Sequence, residues 1–462
     1  MVNKKIIKVL MFIVFLFVLL IGHLTYFIVF KKDEVSQNSH NKRLWAYEED
    51  IVRGEIADRN GIVLAFSKEG ERIYNYNSLY CHVIGYNSKI YGKTNIESKF
   101  NSLLLGRGGL TEVFNLSGDG KVGYDLTLTI DHRLQHYAYG RLGNANGSIV
   151  AINPQTGEVL ALVSKPDFDP SNAVLIKKWT ELTENSNSPL LARATSGLYP
   201  PGSTFKIITS AAAIEKGMDN DMYSDTGSVI IGNTAFYNYG KKANGEIDFK
   251  KAFALSSNFA FCSMGAALTS PTLRDMAQRF GFDKTFDFDI DFSKSAFAAK
   301  DTDEAGSAAL AIGQGETLAT PLQMALTACA VANDGVIMKP YIVQKATNKN
   351  GNLVYEKKPQ QLYKPITSEV SEKIKDLMVE TVKTGTGKNA GIRNISVAGK
   401  TGTAENELLG KENNKEHAWF VGFAPADDSQ IVVAVMLEYS GGSGGELCAP
   451  IARDIINTYL KK

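Results

Sequence analysis

An uncharged stretch of 22 residues near the N-terminus, from Val9 to Phe30, constrains this chain more than any other part of its sequence. As an α-helix it would be about 33 Å long, which is enough to cross the hydrocarbon core of a bilayer. A cleaved signal peptide is the alternative, but its apolar core is normally shorter and ends at small residues. The charged sequence KKDE follows here instead. We therefore predict an uncleaved transmembrane anchor over residues 9–30, preceded by a tail of residues 1–8.

The charges around this stretch indicate its orientation. Three lysines precede it and two follow it, which favours a cytoplasmic N-terminus under the positive-inside rule. We therefore expect a single-pass membrane protein with the rest of the chain outside the cytoplasm.

The composition excludes several classes of function. The 462 residues carry a net charge of +1, so there is no electrostatic argument for a nucleic-acid partner. No CxxC pair occurs, so we expect neither a zinc site nor a redox motif, and we predict that each cysteine is a small buried residue. The four cysteines are Cys81, Cys262, Cys329 and Cys448.

Beyond the anchor the sequence divides into two parts. Residues 31–145 predict a polar stalk, up to about residue 50, and then a small pedestal domain. Near the end of the pedestal, residues 125–130 alternate like a strand and a helix is predicted from Asp131. Residues 146–462 predict the second domain.

The pattern of the second domain predicts an α+β fold. Residues 148–152 and 158–163 are typical of two strands joined by a turn, and β-rich runs cover 417–423 and 431–437. Strands at both ends with helices between them predict a central antiparallel sheet, flanked by helices, in which the first and last strands pair. The helical patterns cover residues 320–335, 368–383 and 450–459.

The tetrapeptide KTGT occurs twice, at Lys383–Thr386 and at Lys400–Thr403. The first copy ends a helical pattern, with Gly385 placed like a helix-terminating glycine and the lysine near the negative end of the helix dipole. The second copy follows an alternating stretch, so we predict a strand whose edge can pair with an extended peptide. Gly402 would remove the side chain that blocks such an approach.

A phosphate-binding loop is an alternative interpretation of the second copy. The sequence from Asn394 to Thr401 nearly matches that motif, which requires glycine at its first position and a helix after the Lys-Thr pair. Asn394 stands at the first position, and Gly402 with a polar segment follows, so the sequence disfavours a nucleotide site.

The pattern Ser-x-x-Lys also occurs twice, at Ser39/Lys42 and at Ser203/Lys206. The first pair lies in the polar stalk, with no helix or pocket pattern. Ser203 follows a Pro-Pro-Gly turn and opens an apolar helix predicted to end near Gly217, on one face with Lys206. A lysine among apolar residues can lose its proton and activate a serine nucleophile. The alternative is a helix cap beside a surface lysine, but apolar residues flank this lysine on both sides.

A third element, Ser256-x-Asn258, lies inside an apolar run. It is either a helix start or part of a buried polar network. Buried polar groups need partners. A site that also contained Ser203 and the two motif lysines would supply them.

These three elements, Ser203-x-x-Lys206, Ser256-x-Asn258 and Lys400-Thr-Gly402, resemble in type and chain order the motifs of penicillin-binding proteins and serine β-lactamases. The resemblance covers essentially the whole chain after the anchor and is to the class B penicillin-binding proteins. One departure is at residues 93–97, KTNIE, where relatives usually have Thr-Gly-Leu/Ile-Glu. The further segments that carry the resemblance are Arg53–Gly61, His82–Tyr86, Tyr199–Lys206, Gly313–Gly315, Thr320–Met324, Ala398–Ala404 and His417–Phe423.

The resemblance implies a peptidoglycan D,D-transpeptidase that penicillin acylates and that is anchored in a bacterial cytoplasmic membrane, with its catalytic domain outside. Ser203 would form the acyl-enzyme with a stem peptide, and Lys206 would be its base. Ser256 would relay a proton to the leaving D-Ala, helped electrostatically by Lys400. The substrate-binding residues would be Asn258, Thr401, Gly402 and Thr403, and the backbone N–H groups of Ser203 and Thr403 would form the oxyanion hole.

The resemblance also implies partners. A D-Ala-D-Ala donor and an amine acceptor would be the substrates, β-lactams would be covalent inhibitors, and neither a metal nor an organic cofactor would be needed. By similarity, residues 9 to about 140 would contact a SEDS-family glycosyltransferase.

Three alternatives have different functions. A β-lactamase would use water as the acceptor, but the anchor, the pedestal and the absence of a Glu-x-x-Leu-Asn motif argue against it. A β-lactam sensor would need a cytoplasmic signalling module, for which residues 1–8 are too short. A non-catalytic scaffold for a glycan polymerase is disfavoured by the complete set of three motifs.

Overall fold

The computed structural model of the chain describes residues 4–27, 48, 51–107, 122–297, 302–404 and 416–461. Apart from residue 48, the predicted stalk over 31–50 lies outside the described residues, and so does the Ser39/Lys42 pair. The last three residues of the predicted anchor also lie outside them.

Helix α1 spans Lys4–Tyr26 and coincides with most of the predicted anchor. The most apolar 18 residues of this helix have a mean hydropathy of 2.7, and none of the helix residues is buried against the rest of the chain. By length and composition this helix can cross a membrane.

The pedestal consists of short strands and helices. Its strands are β1 (Ile56–Ala57), β2 (Val63–Lys68), β3 (Glu71–Tyr74), β4 (Asn87–Ser88), β5 (Gly92–Lys93) and β6 (Asp125–Leu128). Its helices are α2 (Asn95–Lys99), α3 (Asn101–Leu104) and α4 (His132–Leu142), the last of which is capped by the predicted Asp131.

The second domain alternates between strands and helices. Its strands are β7 (Gly147–Ile152), β8 (Val159–Lys165), β9 (Met222–Asp225), β10 (Ser228–Ile231), β11 (Thr234–Tyr237), β12 (Gly245–Asp248), β13 (Ala296–Phe297), β14 (Thr317–Leu318), β15 (Ile337–Met338), β16 (Val343–Thr347), β17 (Leu353–Glu356), β18 (Gln361–Tyr363), β19 (Ala398–Ala404), β20 (His417–Ala424) and β21 (Ile431–Leu437). Its helices are α5 (Asn172–Glu184), α6 (Arg193–Ser196), α7 (Lys206–Glu215), α8 (Phe249–Ala254), α9 (Asn258–Arg279), α10 (Glu304–Ala311), α11 (Pro321–Ala332), α12 (Ser368–Lys383) and α13 (Gly444–Leu460).

A five-stranded sheet in the order β19-β20-β21-β7-β8 forms the centre of the second domain. The predicted pairing of the first and last strands is confirmed, because β7 runs antiparallel to β21 with Ala151 opposite Val433. In this sheet, β19 is an edge strand. The second KTGT copy lies on that edge, as predicted, and the strand rules out the helix that a phosphate-binding loop requires.

The central sheet is buried on both faces, which explains why its strands are apolar throughout rather than alternating. Trp419, Val421 and Phe423 pack into one core cluster together with α11. Ala418 and Phe420 point the other way, into a cluster with α4 and α13. The four cysteines are buried and free, as predicted.

Helix boundaries follow their capping residues. The predicted helices near 320–335 and 368–383 are α11 and α12, capped by Thr320 and Thr367. The last helix begins at Gly444, earlier than the predicted residue 450, because Ser443 and Glu446 form a capping box.

The two predicted parts share one sheet. Its strand order is β17-β16-β6-β1-β2-β3, so two strands from residues 343–356 complete the pedestal sheet. Leu126 of the pedestal lies opposite Ala346 in this pairing. A single core cluster also contains residues from both parts.

Buried ion pairs link the segments of the pedestal. Glu97 is fully buried, and its two carboxylate oxygens accept hydrogen bonds from Arg53 Nε and Arg72 Nε, each at 2.6 Å. Arg53 also donates to Asn101 Oδ1 at 2.6 Å. Burial alone would raise the pKa of Glu97, but the two guanidinium groups outweigh it and hold the pKa below its usual value.

We predict that Glu97→Ala lowers the free energy of unfolding by about 3–5 kcal/mol, because it leaves two buried guanidinium groups without their carboxylate. Chemical denaturation of the full chain in detergent measures this change. The exposed Glu55 provides the control, since Glu55→Ala should change stability by less than about 0.5 kcal/mol. Equal effects of the two substitutions would contradict a stabilising network.

Candidate active site

A cavity of about 630 Å³ lies at the β19 edge of the central sheet. Five of the predicted site residues line it, and they come from three distant segments of the chain. These residues are Ser203, Ser256, Asn258, Thr401 and Thr403. Lys206, Lys400 and Gly402 lie directly behind this lining and are buried.

Ser203 lies in a 3-10 turn, Gly202–Phe205, and not within the first turn of the α-helix as predicted. The α-helix itself, α7, begins at Lys206. Gly202 has a φ of +52°, a left-handed conformation that favours glycine. A Cβ on Gly202 would lie 2.9 Å from the carbonyl oxygen of Thr403, so the turn rests directly against β19.

Lys206 is fully buried among apolar residues, which contradicts the alternative of a surface lysine. Its Nζ donates to the Ser256 carbonyl oxygen and to Asn258 Oδ1, each at 2.8 Å, and contacts Ser256 Oγ at 3.3 Å. Burial lowers the pKa of Lys206 to about 7. Within the described residues, Ser203 Oγ makes no hydrogen bond to this nitrogen.

Lys400 also contacts the side chain of Ser256. Its Nζ donates to Ser256 Oγ at 2.9 Å and to the Thr401 carbonyl oxygen at 3.1 Å. Lys400 is fully buried, and burial together with the charge of Lys206 holds its pKa well below the usual lysine value. One hydroxyl group therefore connects both lysines.

The Ser256 segment is held in an unusual conformation by polar contacts. Ser256 has a φ of +60°, which is rare for residues other than glycine. Asp225 accepts hydrogen bonds from Ser257 Oγ at 2.7 Å and from Asn238 Nδ2 at 2.8 Å. Asn238 Oδ1 in turn accepts from the backbone N–H of Asn258 at 2.8 Å. The Ser-x-Asn element is thus both a helix start and part of a polar network.

The side chain of Asn258 is largely engaged within the protein. Its Oδ1 accepts from Lys206, and its Nδ2 donates to the Tyr237 carbonyl oxygen at 2.8 Å. Because a side-chain amide has two N–H donors, one donor stays available to a ligand in the cavity.

The glycine of the second KTGT copy allows two segments to approach closely. A Cβ on Gly402 would lie 3.0 Å from Thr204 Cγ2 and 3.1 Å from the Pro201 carbonyl oxygen. The absence of a side chain therefore lets β19 pack against the turn that carries Ser203. This contact differs from the predicted approach of a peptide.

The first KTGT copy ends helix α12 at Lys383, as predicted. Gly385, however, does not have the left-handed conformation of a helix-terminating glycine. Glycine is required there because a Cβ would lie 2.1 Å from the Ala254 carbonyl oxygen. Thr386, three residues after the last residue of α12, lines the cavity.

Several cavity residues were missed by sequence reasoning. Gln314 lies between Gly313 and Gly315, and this glycine pair could have indicated a turn near the site. Apart from Thr386, which belongs to the first KTGT copy, the others carry no local signal, because separate segments bring them to the cavity. They are Tyr237, Asn238, Tyr239, Gly240, Lys241, Leu255, Thr386, Asn389, Glu416, Ser443, Gly445 and Glu446.

Within the ranges that the structure describes, no three His, Cys, Asp or Glu side chains gather into a group that could hold a metal ion. The chemistry available at the cavity is that of a serine hydroxyl, two lysines of lowered pKa and backbone N–H groups. Such a set can carry out nucleophilic acyl transfer.

Family comparisons support this assignment of chemistry. Residues 147–457 match the penicillin binding protein transpeptidase domain, and residues 53–116 match the penicillin binding protein A dimerisation domain. The first match alone covers more than half of the chain.

Individual relatives agree with the family matches. The peptidoglycan D,D-transpeptidase PbpA of Mycolicibacterium smegmatis is 32% identical, over 100% of this chain and 99% of that protein. The ceftriaxone acyl-enzyme of penicillin-binding protein A from M. tuberculosis has a TM-score of 0.83 at 30% identity, covering 89% of this chain and 99% of that one. A D,D-transpeptidase domain from Eggerthella lenta has a TM-score of 0.79 at 32% identity, with coverages of 89% and 99%. The chain therefore belongs to the class B penicillin-binding proteins.

Proposed function

We propose that this chain is a peptidoglycan D,D-transpeptidase that cross-links stem peptides through an acyl-enzyme on Ser203 and is acylated there by β-lactams. The name of its curated relatives and the β-lactam acyl-enzyme among its structural neighbours support this function. The observation that supports the residue assignment is the shared contact of Lys206 and Lys400 with Ser256 Oγ.

In the first half-reaction, Ser203 Oγ attacks the carbonyl carbon of the penultimate D-Ala. A neutral Lys206 accepts the serine proton, and the backbone N–H groups of Ser203 and Thr403 stabilise the oxyanion. The bond to the terminal D-Ala then breaks, and Ser256 passes a proton to the leaving amine with electrostatic help from Lys400. An ester on Ser203 and free D-Ala result.

In the second half-reaction, the amine of another stem peptide attacks the ester. The new peptide bond forms, and Ser203 leaves with a proton. Asn258 would hydrogen-bond the donor-peptide amide through its remaining N–H. Thr401 and Thr403 would bind the terminal carboxylate of the donor before it departs, beside Gly402 on the edge strand.

Lys206 has to release one of its hydrogen bonds to act as the base. An ammonium group donates three hydrogen bonds and a neutral amine donates two, so deprotonation frees a lone pair. Catalytic hydrogen bonds often tighten only when the substrate binds, which accommodates the absence of a direct contact with Ser203.

We predict that purified wild-type protein forms a covalent adduct with penicillin on Ser203 and that Ser203→Ala forms none. Mass spectrometry of the intact protein and of its peptides locates the adduct. An adduct that persists in Ser203→Ala would contradict the assignment. Rapid release of the penicilloyl group by the wild type would favour a β-lactamase instead, since that enzyme uses water as the acceptor.

The two KTGT lysines provide a matched pair for the same assay. Lys400→Ala should slow acylation by about a hundredfold or more, because it removes the side chain that assists proton transfer through Ser256. Lys383→Ala, at the exposed end of α12, should leave the rate nearly unchanged. Similar losses in both variants would count against the distinct roles of the two copies.

We predict that the acylation rate rises with pH through about 7 and then levels off. Lys206 must be neutral to accept a proton, and its pKa of about 7 means that it is protonated below this pH. Rates with a fluorescent penicillin between about pH 5 and pH 9 test this, because the rate should change about tenfold per unit on the acidic side. Thermal unfolding over the same range controls for loss of the fold, and a flat profile would exclude Lys206 as the base.

We further propose that α1 anchors the chain as a single-pass membrane protein with the cavity outside the cytoplasm. We also propose that residues 9 to about 140 contact a SEDS-family glycosyltransferase. Replacing the anchor with an unrelated transmembrane helix should then abolish co-purification of the two proteins. Co-purification that survives deletion of the pedestal would count against its part in this contact.

A further inference from the structure

We propose that Thr386, the last residue of the first KTGT copy, is a positioning residue that orients the hydroxyl group of Thr401 toward the substrate carboxylate. This inference rests on the proposed function, in which Thr401 binds that carboxylate. It assigns a role to the tetrapeptide that the sequence predicted to be only a helix end.

The two threonines form a direct hydrogen bond. Thr386 Oγ1 lies 2.6 Å from Thr401 Oγ1, although the residues lie on separate segments. Within the described residues, this is the only hydrogen bond of the Thr401 hydroxyl group. Both residues line the cavity, so their contact lies at its wall.

The number of protons decides the direction of this hydrogen bond once an anion occupies the cavity. Each hydroxyl group has one proton to donate and two lone pairs. The other acceptor near Thr386 Oγ1 is the Ala254 carbonyl oxygen, at a long 3.5 Å, and it already accepts the Thr386 backbone N–H at 3.0 Å. Either hydroxyl group can donate across the 2.6 Å contact while the cavity is empty. When an anion binds, Thr401 has to donate its single proton to that anion, so Thr386 then donates to Thr401. Two hydroxyl groups in series strengthen the final bond to that anion.

Thr386 is itself held in place from two directions. Its backbone hydrogen bond to Ala254 ties it to the end of α8, two residues before Ser256. At the start of α13, a Cβ on Gly445 would lie 2.4 Å from the Thr386 carbonyl oxygen and 3.6 Å from Thr401 Cγ2. The close packing of these segments fixes the Thr401 hydroxyl relative to the serine that relays the proton.

The same tetrapeptide provides a matched control. Thr384 is also exposed, but its hydroxyl group donates to Glu380 Oε1 at 2.6 Å within its own helix end and does not line the cavity. Replacing either threonine with valine removes one hydroxyl group from an exposed position of the same segment. Such surface changes usually alter stability by less than about 0.5 kcal/mol.

The test compares two thioester substrates of one acyl-D-alanine on the full chain in detergent. One has mercaptoacetate as the leaving group and carries a carboxylate, and the other has mercaptoacetamide and is neutral. Thr386→Val should lower kcat/KM for the carboxylate substrate about fivefold to tenfold, mainly through KM, and for the amide less than about twofold. Thr386→Ser and Thr384→Val should both keep the wild-type ratio of kcat/KM for the carboxylate substrate to kcat/KM for the amide substrate.

The ratio of the kcat/KM values for the two substrates is measured on one preparation of each variant. A partly unfolded variant loses activity toward both substrates equally, so it cannot imitate the expected result. An equal loss with both substrates in Thr386→Val would overturn the inference, because it would show a purely structural role. An unchanged ratio without any loss would overturn it as well. A wild type that neither reacts with the thioesters nor binds penicillin would instead refute the proposed function.

Discussion

Two buried lysines that meet at one serine hydroxyl group are the constraint on which the rest of this structure depends. Lys206 and Lys400 are both fully buried, and their Nζ atoms lie 3.3 Å and 2.9 Å from Ser256 Oγ. Water cannot hydrate either ammonium group, so each must be neutral or be surrounded by protein acceptors. The fold must therefore bring three segments, distant in sequence, within hydrogen-bonding distance. The same burial that makes this arrangement demanding lowers both pKa values and makes a lysine usable as a base.

The central sheet and two glycines together bring these three segments into contact. The sheet presents Lys400 on its edge strand, with the next strands buried on both faces. Gly202 and Gly402 leave space for the Ser203 turn to rest against that strand. Asp225, through Ser257 and Asn238, stabilises the left-handed conformation of Ser256. Backbone strain at a residue that lines the cavity is thus maintained by a polar network next to it.

The pedestal is structurally continuous with the second domain. Strands from residues 343–356 complete its sheet, and one core cluster includes residues of both parts. The Glu97 network, in contrast, lies wholly within the pedestal. Backbone pairing and a shared core therefore connect the pedestal to the second domain.

The sequence by itself determined the fold class, the strands of the central sheet, helix α12 and the three motifs, because these features depend on local periodicity and residue type. It also separated the two KTGT copies by their surroundings. Only the tertiary structure decided where Ser203 lies in its turn, that two strands of the second domain complete the pedestal sheet, and that Thr386 contacts Thr401. It also replaced the helix-terminating explanation of Gly385 with close packing against Ala254. Such contacts join residues far apart in the chain, and no local pattern records them, because their geometry arises when separate segments pack together.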